Sequence, residues 1–353
     1  MLGLKEIKKF DKKNMLDLIV NFPDQWNDAL SISEKFRIDK KLSDYRKVNK
    51  IVVTGMGGSG IGGDLLKAVL LNVLKIPVMV NRNYTFGKYV DEKTLVFAVS
   101  YSGNTEETVS AYKHAISRKA KVICITSGGK LKELADKDGI PYVVIPSGMP
   151  PRTASGYLFL PSLVILNKLG FAYGTKKDIK ETYSILKTLK NIYKPEVSDN
   201  IAKKLALKLK ARQVIIYGVA DTTEVVALRW KCQFNENSKV YAVAANLPEM
   251  NHNEVVGWSV CLKKQLKEFA VIFLRDKNDL DRINRRIEIS KRIFSKYNKN
   301  MYEFHSRGNS LLSRLMSLVY LGDYVSFYLA ILNKVDPTAI DNIMYLKNQL
   351  SRK

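Results

Sequence analysis

The sequence predicts an α/β protein made of two similar halves, each a parallel sheet flanked by helices. Three observations predict this class. Short apolar runs alternate with amphipathic helical stretches from about residue 46 onward, a pattern typical of parallel sheets covered on both faces. A second cycle of the same kind begins at residue 213, after a charged helical stretch over about 176–212. The length of 353 residues is sufficient for two domains with separate cores.

In the first half, hydrophobic periodicity and turn residues assign the elements in order. Residues 1–45 are expected to form helices, interrupted near Asn21-Phe22-Pro23. Strands and helices then alternate. The strands are predicted near residues 50–54, 77–80, 95–100, 122–126 and 142–145, and the helices near 61–74, 105–119, 130–137 and 156–169.

The second half repeats this order and then ends in helices. Its strands are predicted at 213–218, near 240–244 and at 269–274, with a helix carrying Trp230 between the first two. The apolar stretch from Leu311 to Leu332 contains Arg314 and Asp323, so it predicts a buried helix rather than a membrane span. Helix is expected again after Asp336-Pro337. We therefore expect an N-terminal helical extension over 1–45, a first domain over 46–195 and a second domain over 196–353.

The net charge of +24 raises the hypothesis of nucleic-acid binding. The Lys and Arg residues are spread through the chain, however, and the densest segment, Arg282 to Lys299, has the pattern of a helix with a solvated basic face. A positive surface also attracts anionic metabolites, so the charge fits both interpretations. Because no zinc finger, aromatic RNA-binding signature or separate basic tail accompanies it, we expect no nucleic-acid partner.

Cysteine usage and the N-terminal sequence favour a cytoplasmic enzyme. Cys124, Cys232 and Cys261 form an odd set without a CxxC pair, so neither a disulfide framework nor a zinc site is expected. The first residues lack the apolar core of a signal peptide. We accordingly expect a cytoplasmic protein that needs no membrane.

Two short polar loops each follow a predicted buried strand and open a predicted helix. They read Gly55-Met56-Gly57-Gly58-Ser59-Gly60 and Ser100-Tyr101-Ser102-Gly103-Asn104-Thr105. Each combines backbone N–H groups at a helix N-terminus with small hydroxyl side chains, which bind phosphate without a metal or a lysine. Ligands of such sheets bind beyond the carboxyl ends of the strands. The two loops therefore predict a phosphorylated small molecule held between them.

Each loop has an alternative interpretation. The first satisfies the dinucleotide-binding spacing GxGxxG, but the next predicted strand ends in Asn81 and Arg82, with no acid to hold a ribose hydroxyl. Arg82 could bind the 2′-phosphate of NADP, so NADP binding remains an alternative. The second loop could be a well-capped turn without a ligand, since Glu106 and Glu107 suit an ordinary helix start.

Two polar clusters in the second half could carry chemistry. One runs from Phe234 to Lys239 and contains Glu236, and the other runs from Pro248 to Glu254 and contains His252. The alternatives are a surface carboxylate and a turn histidine that bonds to the backbone. The other histidines, His114 and His305, are expected to be structural or surface residues.

These blocks together resemble one known family. The two loops, Pro151-Arg152, Asn235-Glu236-Asn237-Ser238-Lys239 and Asn251-His252-Asn253-Glu254 are similar to blocks of the bifunctional phosphoglucose/phosphomannose isomerases, members of the sugar isomerase (SIS) superfamily. The resemblance extends from about residue 46 to the C-terminus. Many SIS proteins share the two loops, whereas the last two blocks are specific to this branch.

The resemblance implies roles for four residues. Glu236 corresponds to the carboxylate that moves a proton between C2 and C1 of an open-chain aldose 6-phosphate. Arg152 corresponds to the guanidinium that faces the developing oxyanion, and His252 to the acid/base that opens the ring. In the family this histidine comes from the neighbouring subunit, which implies a homodimer. Lys347 resembles a C-terminal lysine that contacts the ring oxygen.

The resemblance also implies the substrates and the residues that hold them. The substrates would be hexose 6-phosphates, and neither a cofactor nor a metal would be needed. The residues that match the phosphate and sugar contacts are Gly58, Ser59, Ser100, Ser102 and Thr105. Two other hypotheses remain: a non-catalytic SIS-type sugar-phosphate-binding regulator, and an NADP-dependent oxidoreductase that uses the glycine loop.

Overall fold

The computed structural model describes residues 2–38, 40–260 and 263–350, and the chain divides into two compact units. The first unit comprises Asn21–Lys187 and Gly308–Met316. The second comprises Met1–Val20, Thr188–Arg307 and Ser317–Lys353, as far as these are described. The chain thus passes between units near residues 20 and 187, whereas the sequence analysis placed boundaries near 45 and 195. The assignment of the predicted segments as functional domains stays a prediction.

Each unit is built on a parallel sheet. The strands of the first are β1 (Lys50–Thr54), β2 (Val78–Asn81), β3 (Thr94–Ser100), β4 (Lys121–Thr126) and β5 (Tyr142–Val144), in the order β2-β1-β3-β4-β5. Those of the second are β6 (Gln213–Val219), β7 (Ala242–Leu247), β8 (Phe269–Arg275) and β9 (Met301–His305), in the order β7-β6-β8-β9. The second order repeats the first four positions of the first.

Helices connect and cover the strands. In chain order they are α1 (Leu4–Phe10), α2 (Met15–Val20), α3 (Phe22–Glu34), α4 (Gly57–Leu70), α5 (Glu106–Ser117), α6 (Gly129–Asp138), α7 (Ser155–Lys168), α8 (Thr175–Tyr193), α9 (Ile201–Leu209), α10 (Glu224–Gln233), α11 (Glu254–Gly257), α12 (Lys263–Leu266), α13 (Asp281–Phe294), α14 (Leu311–Leu332) and α15 (Asp341–Leu350). Short 3₁₀ turns cover Lys40–Lys47, Pro151–Thr153 and Glu249–His252, and a π turn covers Phe234–Ser238.

The two parallel sheets confirm the predicted fold class. Strand β3 is buried along its whole length, as expected of a central strand covered on both faces. The sequence analysis did not assign β9. This edge strand is only partly buried and carries Glu303 and His305, so its apolar signal is weak.

Helix α14 is the apolar helix of the C-terminal region. Among the described residues it is the one helix long and apolar enough to cross a membrane by length and composition. However, 94 % of its apolar window is buried inside the protein. Arg314 and Asp323 are themselves buried, at 7 % and 6 % exposure. This burial confirms the predicted core helix.

Candidate active site

The two predicted phosphate loops leave the first sheet side by side. β1 and β3 are neighbours and pair in parallel register as far as Thr54 and Ala98, so both loops start at the same edge. The strand order reverses between these strands, and ligands of open α/β sheets bind at such a switch point. A Cβ on Gly55 would lie 2.8 Å from the Val99 carbonyl oxygen. The sheet therefore holds the two loops in close contact.

Hydrogen bonds shape the serine loop. The Ser100 hydroxyl donates to Thr105 Oγ1 at 3.0 Å and accepts from Gly103 N at 3.1 Å. The Ser102 hydroxyl accepts from Asn104 N at 3.2 Å. Gly103 has a φ of 69°, the left-handed region that glycine occupies most easily. Ser100 is buried and Ser102 is exposed, so these hydrogen bonds hold the loop in a shape in which solvent reaches Ser102.

The glycine loop brings a buried hydroxyl and the arginine turn together. Ser59 is 4 % exposed, and its hydroxyl has no hydrogen-bond partner within the described chain. Gly57 turns into α4 with a φ of 51°. A Cβ on Gly58 would lie 3.0 Å from the Pro151 carbonyl oxygen and 3.5 Å from Arg152 Cα. The loop and the turn that carries Arg152 are therefore in direct contact.

The serine loop also fixes the segment that carries Arg152. The Tyr101 hydroxyl accepts a hydrogen bond from Met149 N at 2.9 Å, and burial raises the pKa of Tyr101. Thr153 closes the turn, since its hydroxyl donates to the Pro150 carbonyl oxygen at 2.9 Å. Arg152 is 5 % exposed. The sequence analysis counted Tyr101 only as one hydroxyl of the loop and missed this role.

Arg82 borders the glycine loop and is held by an acid. Its guanidinium forms an ion pair with Asp64. Its Nε would lie 3.0 Å from a Cβ on Gly60. Under the NADP hypothesis, the Arg82 guanidinium would bind the 2′-phosphate, but here it is paired with Asp64. It still adds positive charge beside the loop.

The second sheet repeats the strand order without the phosphate loops. At its switch point β6 and β8 lead into turns that carry Thr223, Asp276 and Asp279. The Thr223 hydroxyl donates to the Leu274 carbonyl oxygen at 2.8 Å. Burial raises the pKa of Asp279 to about 6. Carboxylates repel phosphate once ionised, so these turns of the second sheet lack the pattern predicted to bind phosphate.

Glu236 lies in the π turn between α10 and β7, and its neighbours hold the backbone. Asn235 donates to two main-chain carbonyl oxygens, at 2.8 and 3.1 Å. Asn237 donates to Ser326 Oγ at 3.0 Å, and the Ser238 hydroxyl donates to the Ser326 carbonyl oxygen at 2.6 Å. Asn237 and Ser238 are fully buried. π turns in helices occur frequently at functional sites.

The carboxylate of Glu236 is partly buried and faces two cavities of the second unit. One cavity runs along the exposed edge strand β7. It is lined by Leu228, Lys231, Cys232, Asn235, Glu236, Tyr241, Ala242, Val243 and Ala244. The other lies between the π turn and the start of α15. It is lined by Asn235, Glu236, Lys239 and residues 339–343.

Lys239 joins the π turn to the C-terminal segment. Its ammonium donates to the carbonyl oxygens of Glu236 at 2.6 Å, Asp336 at 3.0 Å and Ala339 at 2.8 Å. This bridge brings the start of α15 next to Glu236. Lys347 lies six residues beyond the first residue of that helix, about 9 Å along the axis, and is exposed.

His252 follows β7 and is exposed, as are Asn253 and Glu254 of its block. Asn251 donates to Ser290 Oγ at 2.8 Å and so fixes the turn to α13. Asn253 Oδ1 accepts from Glu254 N at 2.6 Å and caps the helix that follows. The His252 ring makes no hydrogen bond within the part of the chain that the structure describes. The side chains of Asn251 and Asn253 thus hold the turn on which the His252 imidazole lies.

Glu236 and His252 lie at opposite ends of β7 within one chain. Asn235 bonds to the first residue of the strand, and the turn with His252 begins after its last residue, Leu247. Five residue steps at the usual rise separate the two ends by about 17 Å.

The remaining histidines occupy a structural and a surface position, as predicted. The ring of His114 stacks on Phe86 at 5.9 Å, and its Nδ1 accepts from Phe86 N at 2.9 Å. His305 is exposed and forms a hydrogen bond with Glu303 at 2.9 Å.

Comparison with known proteins agrees with this architecture. Residues 44–138 match the SIS domain family, and residues 198–350 match the bacterial phospho-glucose isomerase C-terminal SIS domain. The bifunctional phosphoglucose/phosphomannose isomerase of Caldicellulosiruptor bescii is 47% identical over 96% of this chain and 99% of its own. The Aquifex aeolicus protein of the same name is 36% identical over 89% and 93%. Tagatose-6-phosphate ketose/aldose isomerase from Escherichia coli shares the fold, with a TM-score of 0.72 at 16% identity over 92% of this chain and 95% of that one.

Proposed function

The chain belongs to the family of bifunctional phosphoglucose/phosphomannose isomerases, and from this premise we propose that it interconverts glucose 6-phosphate and mannose 6-phosphate with fructose 6-phosphate. The observation that carries the proposal is the π turn. Its other polar side chains hold the backbone, and the carboxylate of Glu236 faces a cavity. A carboxylate placed in this way can carry a proton between adjacent carbons.

The reaction proceeds through an enediolate. Glu236 removes the proton from C2 of the open-chain aldose, the electrons move into a C1–C2 double bond, and the C1 oxygen takes the proton of the C2 hydroxyl. Glu236 then returns its proton to C1 as the C2 oxygen, now negatively charged, becomes the oxygen of the ketone. Glucose and mannose 6-phosphates share this intermediate, so the face of C2 that receives a proton in the reverse direction decides which aldose forms.

Arg152 supplies the positive charge that the enediolate needs. A guanidinium remains charged at any pH at which the protein is folded. A fixed cation is most effective where negative charge develops in the transition state. With this charge in place the proposed mechanism has no step that requires a metal ion. The phosphate would be held by Gly58, Ser59, Ser100, Ser102 and Thr105.

The active species is proposed to be a homodimer in which His252 opens the ring of a sugar bound at the partner's Glu236. The separation along β7 supports this arrangement, because both groups must reach one sugar. The surface of α15 supports it as well, since a single chain leaves its apolar side chains in water. These are Ile343, Met344, Tyr345, Leu346 and Leu350. Lys347 on the same helix would contact the ring oxygen.

The cytoplasm is the proposed location. Cys124 is a free thiol, and burial raises its pKa, which makes it unreactive. Cys261 lies outside the described residues. Free thiols suit a reducing compartment.

Proton exchange at C2 tests the function directly. Glucose 6-phosphate incubated with the protein in heavy water should exchange its C2 proton, and EDTA should leave the rate unchanged. Glu236→Gln keeps the shape but removes the base, so the rate should fall by about 10²- to 10⁴-fold. Glu268→Gln, which changes an exposed glutamate of the same unit, should exchange at the normal rate.

Other results would point elsewhere. Phosphate-sugar binding without exchange by the native protein would favour the regulator, and full exchange by Glu236→Gln would remove that residue from the base role. Loss of activity in EDTA would indicate a metal mechanism.

A further inference from the structure

Helix α3 reaches the arginine turn through one buried amide. Gln25 is 8 % exposed. Its Nε2 donates to the Thr153 carbonyl oxygen at 2.8 Å, and its Oε1 accepts from Gly156 N at 3.0 Å. The same nitrogen lies 3.8 Å from Met149 Sδ. These contacts lie on both sides of Arg152 in the sequence.

The Gln25 amide accepts a hydrogen bond from a backbone N–H that has no acceptor within α7. Gly156 lies in the first turn of α7, where N–H groups have no acceptor within the helix. A buried N–H left without an acceptor is costly. Gln25 therefore caps α7 from outside and ties its first turn to the residue that directly follows Arg152.

We propose that Gln25 is a positioning residue for Arg152 and sets the direction of its guanidinium toward the reacting carbons. This inference rests on the proposed function. Three residues hold the turn that carries Arg152. Gly58 packs against it, Tyr101 forms a hydrogen bond with Met149, and Gln25 forms one with Thr153. The first two belong to the phosphate loops themselves.

Gln25 forms its two shortest contacts with Thr153 and Gly156, which lie outside both phosphate loops. Its loss should therefore move the guanidinium and leave phosphate binding intact. A misplacement of about 1 Å at a reacting centre lowers a rate by about 100-fold. The effect should thus be on kcat and not on KM.

The test is Gln25→Met, which has a similar length and no hydrogen-bonding amide. We expect kcat to fall about 10- to 100-fold with KM for fructose 6-phosphate unchanged. The matched control is Tyr157→Phe, which removes a 2.7 Å hydrogen bond to Asp28 between the same two helices, one turn further from Arg152. This control should keep the native kcat. An equal loss in both variants would assign Gln25 to helix packing alone and overturn the proposal.

A double-mutant cycle separates positioning from stability. If Gln25 acts through Arg152, then Gln25→Met should cost nothing further in an Arg152→Ala background. An undiminished further loss would overturn the proposal. Should Gln25→Met not fold, Gln25→Asn keeps an amide that is one methylene too short for both bonds, and the same two comparisons apply. If the native protein shows no isomerase activity, the proposed function fails. If Arg152→Ala keeps full activity, the role of Arg152 fails and the positioning role with it. If Arg152→Ala is slow while Gln25→Met is normal, only the positioning role fails.

Discussion

Mixed dimers give the sharpest test of how the site is assembled. β7, which is about 17 Å long, lies between Glu236 and His252 in one chain. If each site combines Glu236 of one protomer with His252 of its partner, a dimer of Glu236→Gln and His252→Ala chains contains one site with both changes and one site with neither. Each parent homodimer should be at least about 100-fold slower than the native protein. The mixed dimer should recover about half of the native rate.

The assay requires two affinity tags, one on each chain, and purification on both in sequence. Isomerisation of glucose 6-phosphate is then measured at equal protein concentration. The matched control pairs a native chain with a chain that carries both changes. In the shared arrangement each of its sites has lost one group, so this dimer should be inactive.

The opposite pattern would refute the reasoning. If both groups act within one chain, the mixed dimer stays as slow as its parents and the control dimer keeps half of the native rate. The two samples contain the same substitutions in the same number. Their difference therefore reports only how the residues are distributed between protomers.

Two further predictions concern stability. Burial raises the pKa of Asp279 from 3.8 to about 6, so the folded protein holds a proton there that the unfolded chain releases. The free energy of unfolding should therefore fall by about 3 kcal/mol between about pH 4 and pH 6 and then level off, and Asp279→Asn should remove this slope in urea titrations. Gly103→Ala should cost about 3 kcal/mol or more, because the left-handed φ disfavours alanine and a Cβ there would overlap the Gly128 carbonyl oxygen. An unchanged urea midpoint for this variant would contradict the packing argument.

The phosphate loops show what a local pattern can predict. An apolar strand, a run of glycine and hydroxyl residues and a helix start are contiguous in the chain, so the sequence predicts their structure. Parallel pairing then brings the two loops together, because the strands that precede them are neighbours in the sheet. The fold class and the position of this half of the site follow from such short-range information.

The roles within the two polar blocks depended on partners far away in the chain. Asn237 and Ser238 could have been ligands by their chemistry, but both bond to Ser326 in α14. Lys239 bonds to residues near the C-terminus. Composition identifies a polar turn, whereas only the long-range partners show which of its side chains hold the backbone.

By itself, the sequence determined the alternation of strands and helices, the two phosphate loops and the blocks that contain Glu236 and His252. The tertiary structure alone decided that β7 holds those two residues apart. It also decided that Gln25 contacts the turn of Arg152, although Gln25 lies 128 residues before its partner Thr153 in the sequence. The physical reason is that periodicity and turn chemistry act over a few neighbouring residues. The direction of a side chain is set instead by hydrogen-bond partners that only folding brings into contact.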